Sequence, residues 1–149
     1  MILFDANLLV HAHAARSPFY EEANKLRQQV VHGELEACVS PQVLCEFFAV
    51  CTDERRFQPA LSSHQAAKEI ERYWSESGFK RIFPTTGTMP RLLALVVRHP
   101  IVQQRIFDAF LVATMLENGV KTIYTQNLKD FEIYPELRVV NPFVSTPRD

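Results

Sequence analysis

Short apolar runs alternate with longer amphipathic segments along the chain. An apolar run of three or four residues is typical of a short buried strand. Five candidate strands follow from this pattern, at residues 1–4, 36–39, 80–83, 121–124 and 138–140. The longer segments between them repeat apolar residues every three to four positions, which predicts amphipathic helices.

The ends of the predicted helices carry recognisable start and stop residues. Ser17 and Ser40 are each followed by proline, which combines a capping residue with proline at the first helical position. Ser62 and Gln65 have the spacing of a capping box, and Gly119 is a typical C-terminal stop. These signals predict helices at 19–32, 41–51, 62–77, 88–98 and 101–118.

The alternation of strands and helices predicts an α/β fold. We expect a parallel β-sheet of about four to five short strands, flanked by helices on both faces. A length of 149 residues suits one domain over 1–149, with a loose tail after about residue 142. Functional residues in such sheets gather at the carboxyl ends of the strands. The residues that follow the strands are therefore the first candidates for chemistry.

Three acidic residues lie among apolar neighbours. Asp5 directly follows the first strand, and Glu46 and Asp108 have apolar residues three and four positions away on their predicted helices. Each acid alone is explained by partial exposure or by a local salt bridge, for which Asp108 has Arg105 three residues before it. Burying three unpaired carboxylates would cost several kcal/mol each. Their convergence at the strand ends would instead bind a hard divalent cation, Mg²⁺ or Mn²⁺.

Further polar residues occupy the same strand ends. Asn7 lies two residues after Asp5 and can donate a hydrogen bond to a ligand or substrate. Ser40 ends the second strand, so its hydroxyl can cap the following helix and also face the site. Thr125, Asn127 and Asp130 follow the strand at 121–124. We expect all of them to support the site.

Taken together, these residues resemble the PIN-domain family of metal-dependent nucleases, and within it the small VapC-type toxins of bacterial toxin–antitoxin pairs. The matching segments, in chain order, are Leu3-Phe4-Asp5-Ala6-Asn7, Ser40-Pro41 with Glu46, Phe107-Asp108-Ala109 with Ala113, Thr125-Gln126-Asn127 with Asp130-Phe131, and Val139-Val140-Asn141-Pro142. The resemblance spans nearly the whole chain.

The resemblance implies a metal-dependent endoribonuclease that uses Mg²⁺ or Mn²⁺ and leaves 5′-phosphate and 3′-hydroxyl ends. Asp5, Glu46 and Asp108 would then be the metal ligands and, together with Asp130, the catalytic acids. The family often has a fourth acid where this chain has Asn127, so either Asp130 supplies that carboxylate or the site works with three. The resemblance also implies an RNA substrate, a cognate antitoxin protein and a homodimer.

Composition limits how such a protein can hold RNA. The chain has 16 Lys and Arg against 17 Asp and Glu, a net charge of −1, which excludes a polybasic binder. Binding should therefore depend on the metal and on a few basic contacts, with a modest dependence on salt. The candidate contacts are Arg55, Arg56, Lys80, Arg81, Arg98 and Arg105, most of which are expected to be solvated surface.

Other functions remain as alternatives. An inactive PIN-like module that binds RNA or protein is motivated by Asn127. A phosphotransfer or hydrolase domain with Asp5 as nucleophile lacks a second Asp two residues later, where Asn7 stands. His11 and His13 could bind zinc, but no third ligand has suitable spacing.

Cysteine usage and targeting signals predict a cytoplasmic location. The three cysteines, Cys38, Cys45 and Cys51, have no disulfide or zinc spacing, so we interpret them as buried apolar residues in a reducing compartment. The first ten residues contain Asp5 and no basic segment, unlike a signal peptide. No run is long enough for a membrane span.

Overall fold

Five parallel strands form one sheet in the computed structural model, which describes residues 1–75 and 78–144. The strands are β1 (Ile2–Phe4), β2 (Ala37–Val39), β3 (Lys80–Arg81), β4 (Thr122–Tyr124) and β5 (Arg138–Val140). They lie in the order β3-β2-β1-β4-β5, and all four pairings are parallel. The predicted α/β class and parallel sheet are confirmed.

Helices connect the strands. They are α1 (Ala6–His13), α2 (Tyr20–Val31), α3 (Pro41–Cys51), α4 (Ser63–Ser75), α5 (Thr88–Arg98), α6 (Arg105–Glu117) and the single turn α7 (Leu128–Phe131). The predictions for α3 and α5 match their observed bounds. The capping box of α4 is present, because Ser62 and Gln65 each donate a backbone N–H to the other's side chain at 2.9 and 3.1 Å. The predicted continuation of α4 through 76 and 77 lies outside the described residues.

Two helices were not predicted, and one begins later than predicted. Nothing in the pattern after β1 marked α1, whose cap is the side chain of Asp5. The short α7 was also missed. Helix α6 begins at Arg105 rather than at 101, since Gln103 adopts a φ of 53°, which an α-helix cannot contain. Ser17 does not cap α2; its hydroxyl accepts the Phe19 N–H one residue before the helix.

The core lies on both faces of the sheet. Residues Leu3, Cys38 and Ile123 in the central strands have no exposed surface, as expected for a parallel sheet covered on both sides. Ala109 and Ala113 of α6 are also fully buried, so their small side chains allow this helix to pack closely. No helix in the described ranges is long and apolar enough to cross a membrane.

The structure corrects one prediction about the cysteines. Cys38 and Cys51 are buried as expected, whereas Cys45 is exposed, because it lies on the outer side of α3. The tail predicted to be loose after about residue 142 begins with Phe143, which stacks on Phe19 with ring centroids 4.8 Å apart; the looseness of the rest stays a prediction. Residues 145–149 lie outside the described part of the chain.

Candidate active site

The end of β1 places Asp5 at the centre of a polar network. Its side chain is only 5% exposed. One carboxylate oxygen accepts the backbone N–H of Ala6 at 2.8 Å and thereby caps α1. The other accepts the Thr125 hydroxyl at 2.6 Å and the Asn7 amide at 3.1 Å. Both oxygens are thus held in place by hydrogen bonds.

Thr125 joins the end of β4 to the end of β1. Its hydroxyl donates to Asp5 and accepts the Asn7 amide at 3.2 Å and the Asn127 backbone N–H at 3.0 Å. The side-chain oxygen of Asn7 (Oδ1) in turn accepts a hydrogen bond from the backbone N–H of Gln126 at 3.2 Å. Asn7 and Thr125, both predicted to support the site, therefore bind each other and Asp5. Their contacts fix the loop after β4 against the start of α1.

Removing the Thr125 hydroxyl should loosen this network. Thr125 is fully buried, and hydrogen bonds to charged groups contribute about 1.5–3 kcal/mol. Thr125→Val, which keeps the shape, is expected to lower the free energy of unfolding by that amount, whereas Thr125→Ser should cost less than about 1 kcal/mol. Urea denaturation measures both values. Equal losses for the two variants would contradict a role for the hydroxyl.

Glu46 lies at the exposed rim of the site. The prediction that it is buried on an apolar face was wrong, because α3 turns Val43, Phe47 and Val50 into the core and leaves Glu46 outside. Glu46 lines a cavity of about 200 Å³ with Asn7, Asn127 and Arg56, among others. Partial loss of solvent raises the pKa of Glu46, as do the charges of Asp5 and Asp108, while Arg56 opposes them.

Asp108 and Asp130 complete the acidic region. Asp108 is half-buried in the first turn of α6, and burial followed by the charges of Asp130 and Asp5 raises its pKa to about 6. Burial raises the pKa of Asp5 as well, with a smaller contribution from the charge of Asp130. Four carboxylates from four separate parts of the chain therefore lie close enough to influence one another. Asp130, whose role the sequence left open, is one of them.

The donor set fits a hard divalent cation. Within residues 1–75 and 78–144, none of these four carboxylates has a Lys, Arg or His nitrogen within 4.0 Å. Their mutual repulsion is therefore not neutralised by an ion pair. Over the same ranges, no three His, Cys, Asp or Glu side chains form a ready-made metal-binding group. Binding of Mg²⁺ does not require three such side chains, since this ion is usually held by one or two carboxylates, waters and substrate phosphates.

Ser40 and Asn127 occupy different positions at the site. Ser40 is buried at the end of β2, where its hydroxyl accepts the Val43 N–H at 3.3 Å and caps α3, the helix that carries Glu46. Asn127 is exposed and lines the cavity that also contains Glu46. The fold thus brings every predicted site residue to the carboxyl edge of the sheet, although their chemical roles stay predictions.

The two histidines of α1 have separate environments. His11 contacts the Ser17 hydroxyl at 2.7 Å and the Gln126 side-chain oxygen, and it lines the cavity beside Glu46. His13 lies 3.0 Å from the Tyr73 hydroxyl, and burial lowers its pKa to about 4. A shared zinc site is therefore not formed. His11 was not predicted to line the site. The Asn7–His11 spacing of one helical turn indicates it once α1 is known.

Known proteins share this sequence pattern and this fold. The chain is 27% identical over 142 residues to Ribonuclease VapC48 of Mycobacterium tuberculosis. The alignment covers 94% of this chain and 96% of that protein. The crystal structure of M. tuberculosis VapC20, described as a sarcin-ricin loop cleaving toxin, superposes with a TM-score of 0.64 at 17% identity over 90% and 95% of the two chains. A toxin–antitoxin complex from Klebsiella pneumoniae gives 0.63 at 22% identity over 96% and 98%.

The family assignment rests on a match that covers most of the chain. The family model described as the PIN domain matches residues 2–137. That range contains Asp5, Glu46, Asp108 and Asp130, so the resemblance inferred from the sequence motifs is confirmed. The chain belongs to the PIN domain family.

Proposed function

We propose that this protein is a metal-dependent endoribonuclease and the toxin of a toxin–antitoxin pair. The observation that carries the proposal is the convergence of Asp5, Glu46, Asp108 and Asp130 at one edge of a PIN-domain sheet. There the pKa values of Asp5, Glu46 and Asp108 are raised by burial and by the charges of neighbouring acids in this set. The ribonuclease name of VapC48 and the RNA-loop cleavage stated for VapC20 support RNA as the substrate.

Asp5, Glu46 and Asp108 would hold Mg²⁺ or Mn²⁺, with Asp130 as the fourth carboxylate. Once bound, such an ion lowers the pKa of a coordinated water and neutralises charge on the phosphate. Asp5 is held by three hydrogen-bond donors, namely the backbone N–H of Ala6, the side-chain amide of Asn7 and the hydroxyl of Thr125. It therefore sets the position around which the more exposed carboxylates arrange.

Glu46 is the best placed of the four to move a proton. It lies at the solvent-exposed rim, where water enters, and partial burial and the charges of Asp5 and Asp108 raise its pKa, which favours proton acceptance. Thr125 and Asn7 keep Asp5 oriented, and the Asn127 side chain at the cavity wall is available to hydrogen-bond the substrate. Asp130 compensates for the uncharged Asn127, because its carboxylate acts on both Asp5 and Asp108.

We also propose protein partners, namely a cognate antitoxin and a second copy of the chain. The toxin–antitoxin complex from Klebsiella pneumoniae supports the first. Exposed apolar side chains on α5 and at the start of α6, among them Leu93, Val97 and Phe107, are typical of protein interaction surfaces. Light scattering on the purified chain measures its molar mass, and a mass of two chains is expected for the proposed homodimer. With RNA as substrate and an antitoxin as inhibitor, we place the protein in the cytoplasm.

The experiment that tests the function is cleavage of total RNA by the purified protein with Mn²⁺, followed by sequencing of the new ends. We expect discrete cleavage positions that carry 5′-phosphate and 3′-hydroxyl ends. Co-purified nucleases are excluded by preparing the Asp5→Ala variant in parallel, which should leave the RNA intact. Identical cleavage by both preparations, or none by the wild type, would show that the proposed function is wrong.

A further inference from the structure

A second cavity adjoins the acidic site. It has a volume of about 440 Å³ and lies between the end of α1, the loop that follows it and the segment after α3. Val10, His11 and Arg56 line both this cavity and the smaller one that contains Glu46. The two cavities are therefore neighbours along one groove. A chain bound at the carboxylates could continue directly into the larger cavity.

The larger cavity has the opposite charge to the acidic site. Its walls include Arg16, Arg55 and Arg56, and among the residues that the structure describes no Asp or Glu lines it. Arg55 is engaged, because its guanidinium contacts the Asp53 carboxylate at 3.0 and 3.1 Å. Arg16 and Arg56 are exposed, and within the part of the chain that the structure describes neither forms an ion pair. Two guanidinium groups are thus free to bind an anion.

Part of the lining of the larger cavity is apolar, contributed by Val10, Ala14, Pro18 and Phe57. His11 also lines the cavity and is held there, since both of its ring nitrogens contact side chains, Ser17 on one side and Gln126 on the other. A lining that combines apolar and cationic side chains suits a nucleotide, whose base is flat and weakly polar and whose phosphate is anionic. The volume lies within the range of about 300–1,000 Å³ that is usual for small-ligand sites.

We propose that this cavity is a subsite for the RNA nucleotide next to the scissile phosphate, with Arg16 and Arg56 binding that nucleotide's own phosphate. The inference rests on the proposed ribonuclease function and specifies where the substrate lies. It explains how a chain with a net charge of −1 can hold RNA beside four carboxylates. The repulsion at the acidic site is offset by two unpaired arginines within the same groove.

The test compares two double variants that lose the same charge. Arg16→Gln with Arg56→Gln removes the proposed contacts. Lys121→Gln with Arg138→Gln is the matched control, because both residues lie at the amino ends of β4 and β5, the opposite edge of the sheet from the site. Both double variants carry Asp108→Asn in addition, so that RNA is bound and not cleaved. Fluorescence anisotropy with a short labelled single-stranded RNA measures Kd over a series of salt concentrations.

Loss of both contacts to this one phosphate is expected to weaken binding about tenfold and to reduce the slope of log Kd against log salt by about 0.7. The matched control should stay within about twofold of its parent. In the otherwise wild-type chain, Arg16→Gln should raise KM with kcat within about twofold, since it removes binding that is equal in ground and transition states. Equal Kd and slope for the two double variants, or no RNA binding by their parent, would overturn the subsite.

The two proposals fail in different ways. Cleavage by the wild type with unchanged binding by the Arg16 and Arg56 variant refutes the subsite and leaves the ribonuclease proposal intact. Absence of cleavage by the wild type refutes the ribonuclease proposal, whatever the binding shows. Circular dichroism melts of each variant verify folding, which these exposed substitutions should not affect.

Discussion

Asp108→Asn is expected to abolish RNA cleavage and, in the absence of metal, to stabilise the fold. With Asp108 as one of the proposed metal ligands, loss of its carboxylate should lower kcat/KM by at least about 10³-fold, which corresponds to about 4 kcal/mol of transition-state stabilisation. The gain in stability also comes from removal of this carboxylate. Burial and the charges of Asp130 and Asp5 raise the pKa of Asp108 to about 6, so its ionised form is unfavourable in the folded protein.

The stability effect should depend on pH in a defined direction. The folded-state pKa of Asp108 lies above the value of about 3.9 expected in the unfolded chain, so the folded state binds the proton more tightly. This group's contribution is therefore full below about pH 4 and is lost as the pH rises through about 6. At pH 7 the Asn variant should be more stable by about 1 kcal/mol, after allowance for screening by water around the half-buried carboxylate. At pH 4 the two proteins should be equal.

Thermal or urea unfolding in EDTA at both pH values measures this difference. Glu71→Gln on α4 is the matched control, because Glu71 is an exposed acid outside the site and its replacement should leave both stability and cleavage unchanged. An Asn variant that is less stable than the wild type at pH 7 would mean that a favourable interaction of Asp108 outweighs the repulsion. Retained cleavage would remove Asp108 from the catalytic set.

Removal of divalent metal is expected to eliminate cleavage completely and reversibly. Excess EDTA should reduce the rate by at least about 10³-fold, and Mg²⁺ or Mn²⁺ should restore it. Binding of the ion should also raise the melting temperature of the wild type, since a ligand present at 100 times its Kd stabilises the fold by about 2.7 kcal/mol. Asp108→Asn should show little of this shift. Full activity in excess EDTA would exclude the metal mechanism.

Metal binding should weaken in acid, because protons compete for the same carboxylates. With the pKa of Asp108 at about 6, calorimetry is expected to show Mn²⁺ affinity falling steeply as the pH drops from 7 to 5. The charges of Asp5 and Asp130 contribute to this raised pKa, so the midpoint reports their presence as well. Asp130→Asn should move this midpoint to lower pH, since Asp130 is a cause of the raised pKa. An unchanged midpoint would show that the charge of Asp130 does not raise the pKa of Asp108.

Local sequence patterns predicted much of this fold. Helices α3 and α5 and strand β5 have the predicted bounds, because proline, serine caps and apolar runs specify them within a few residues. Helix α1 was not predicted, because its N-cap is Asp5. That residue had been interpreted as a site residue at the end of the first strand and not as the start of a helix. Helix α6 was predicted four residues too long at its start, because no sequence signal marks the left-handed φ of Gln103.

The sequence by itself determined the order of strands and helices, and with it the parallel sheet whose carboxyl edge collects the acids. It also singled out Asp5, Glu46 and Asp108 as candidates, since each ends a strand or has apolar neighbours on its helix, while the role of Asp130 stayed open. Only the tertiary structure decided how each acid is used. Asp5 is bound by Thr125, 120 positions away, and no periodicity reports such a contact.

The same reason explains the other outcomes at the site. Burial of Asp5, exposure of Glu46, the approach of Asp130 and the pairing state of each arginine depend on which elements meet in space. Helical spacing constrains neighbours within one or two turns, whereas solvation and charge act between all groups that the fold brings together. The candidate acidic residues could therefore be predicted from local sequence. Their charge interactions and the groove beside them depend on the assembled fold.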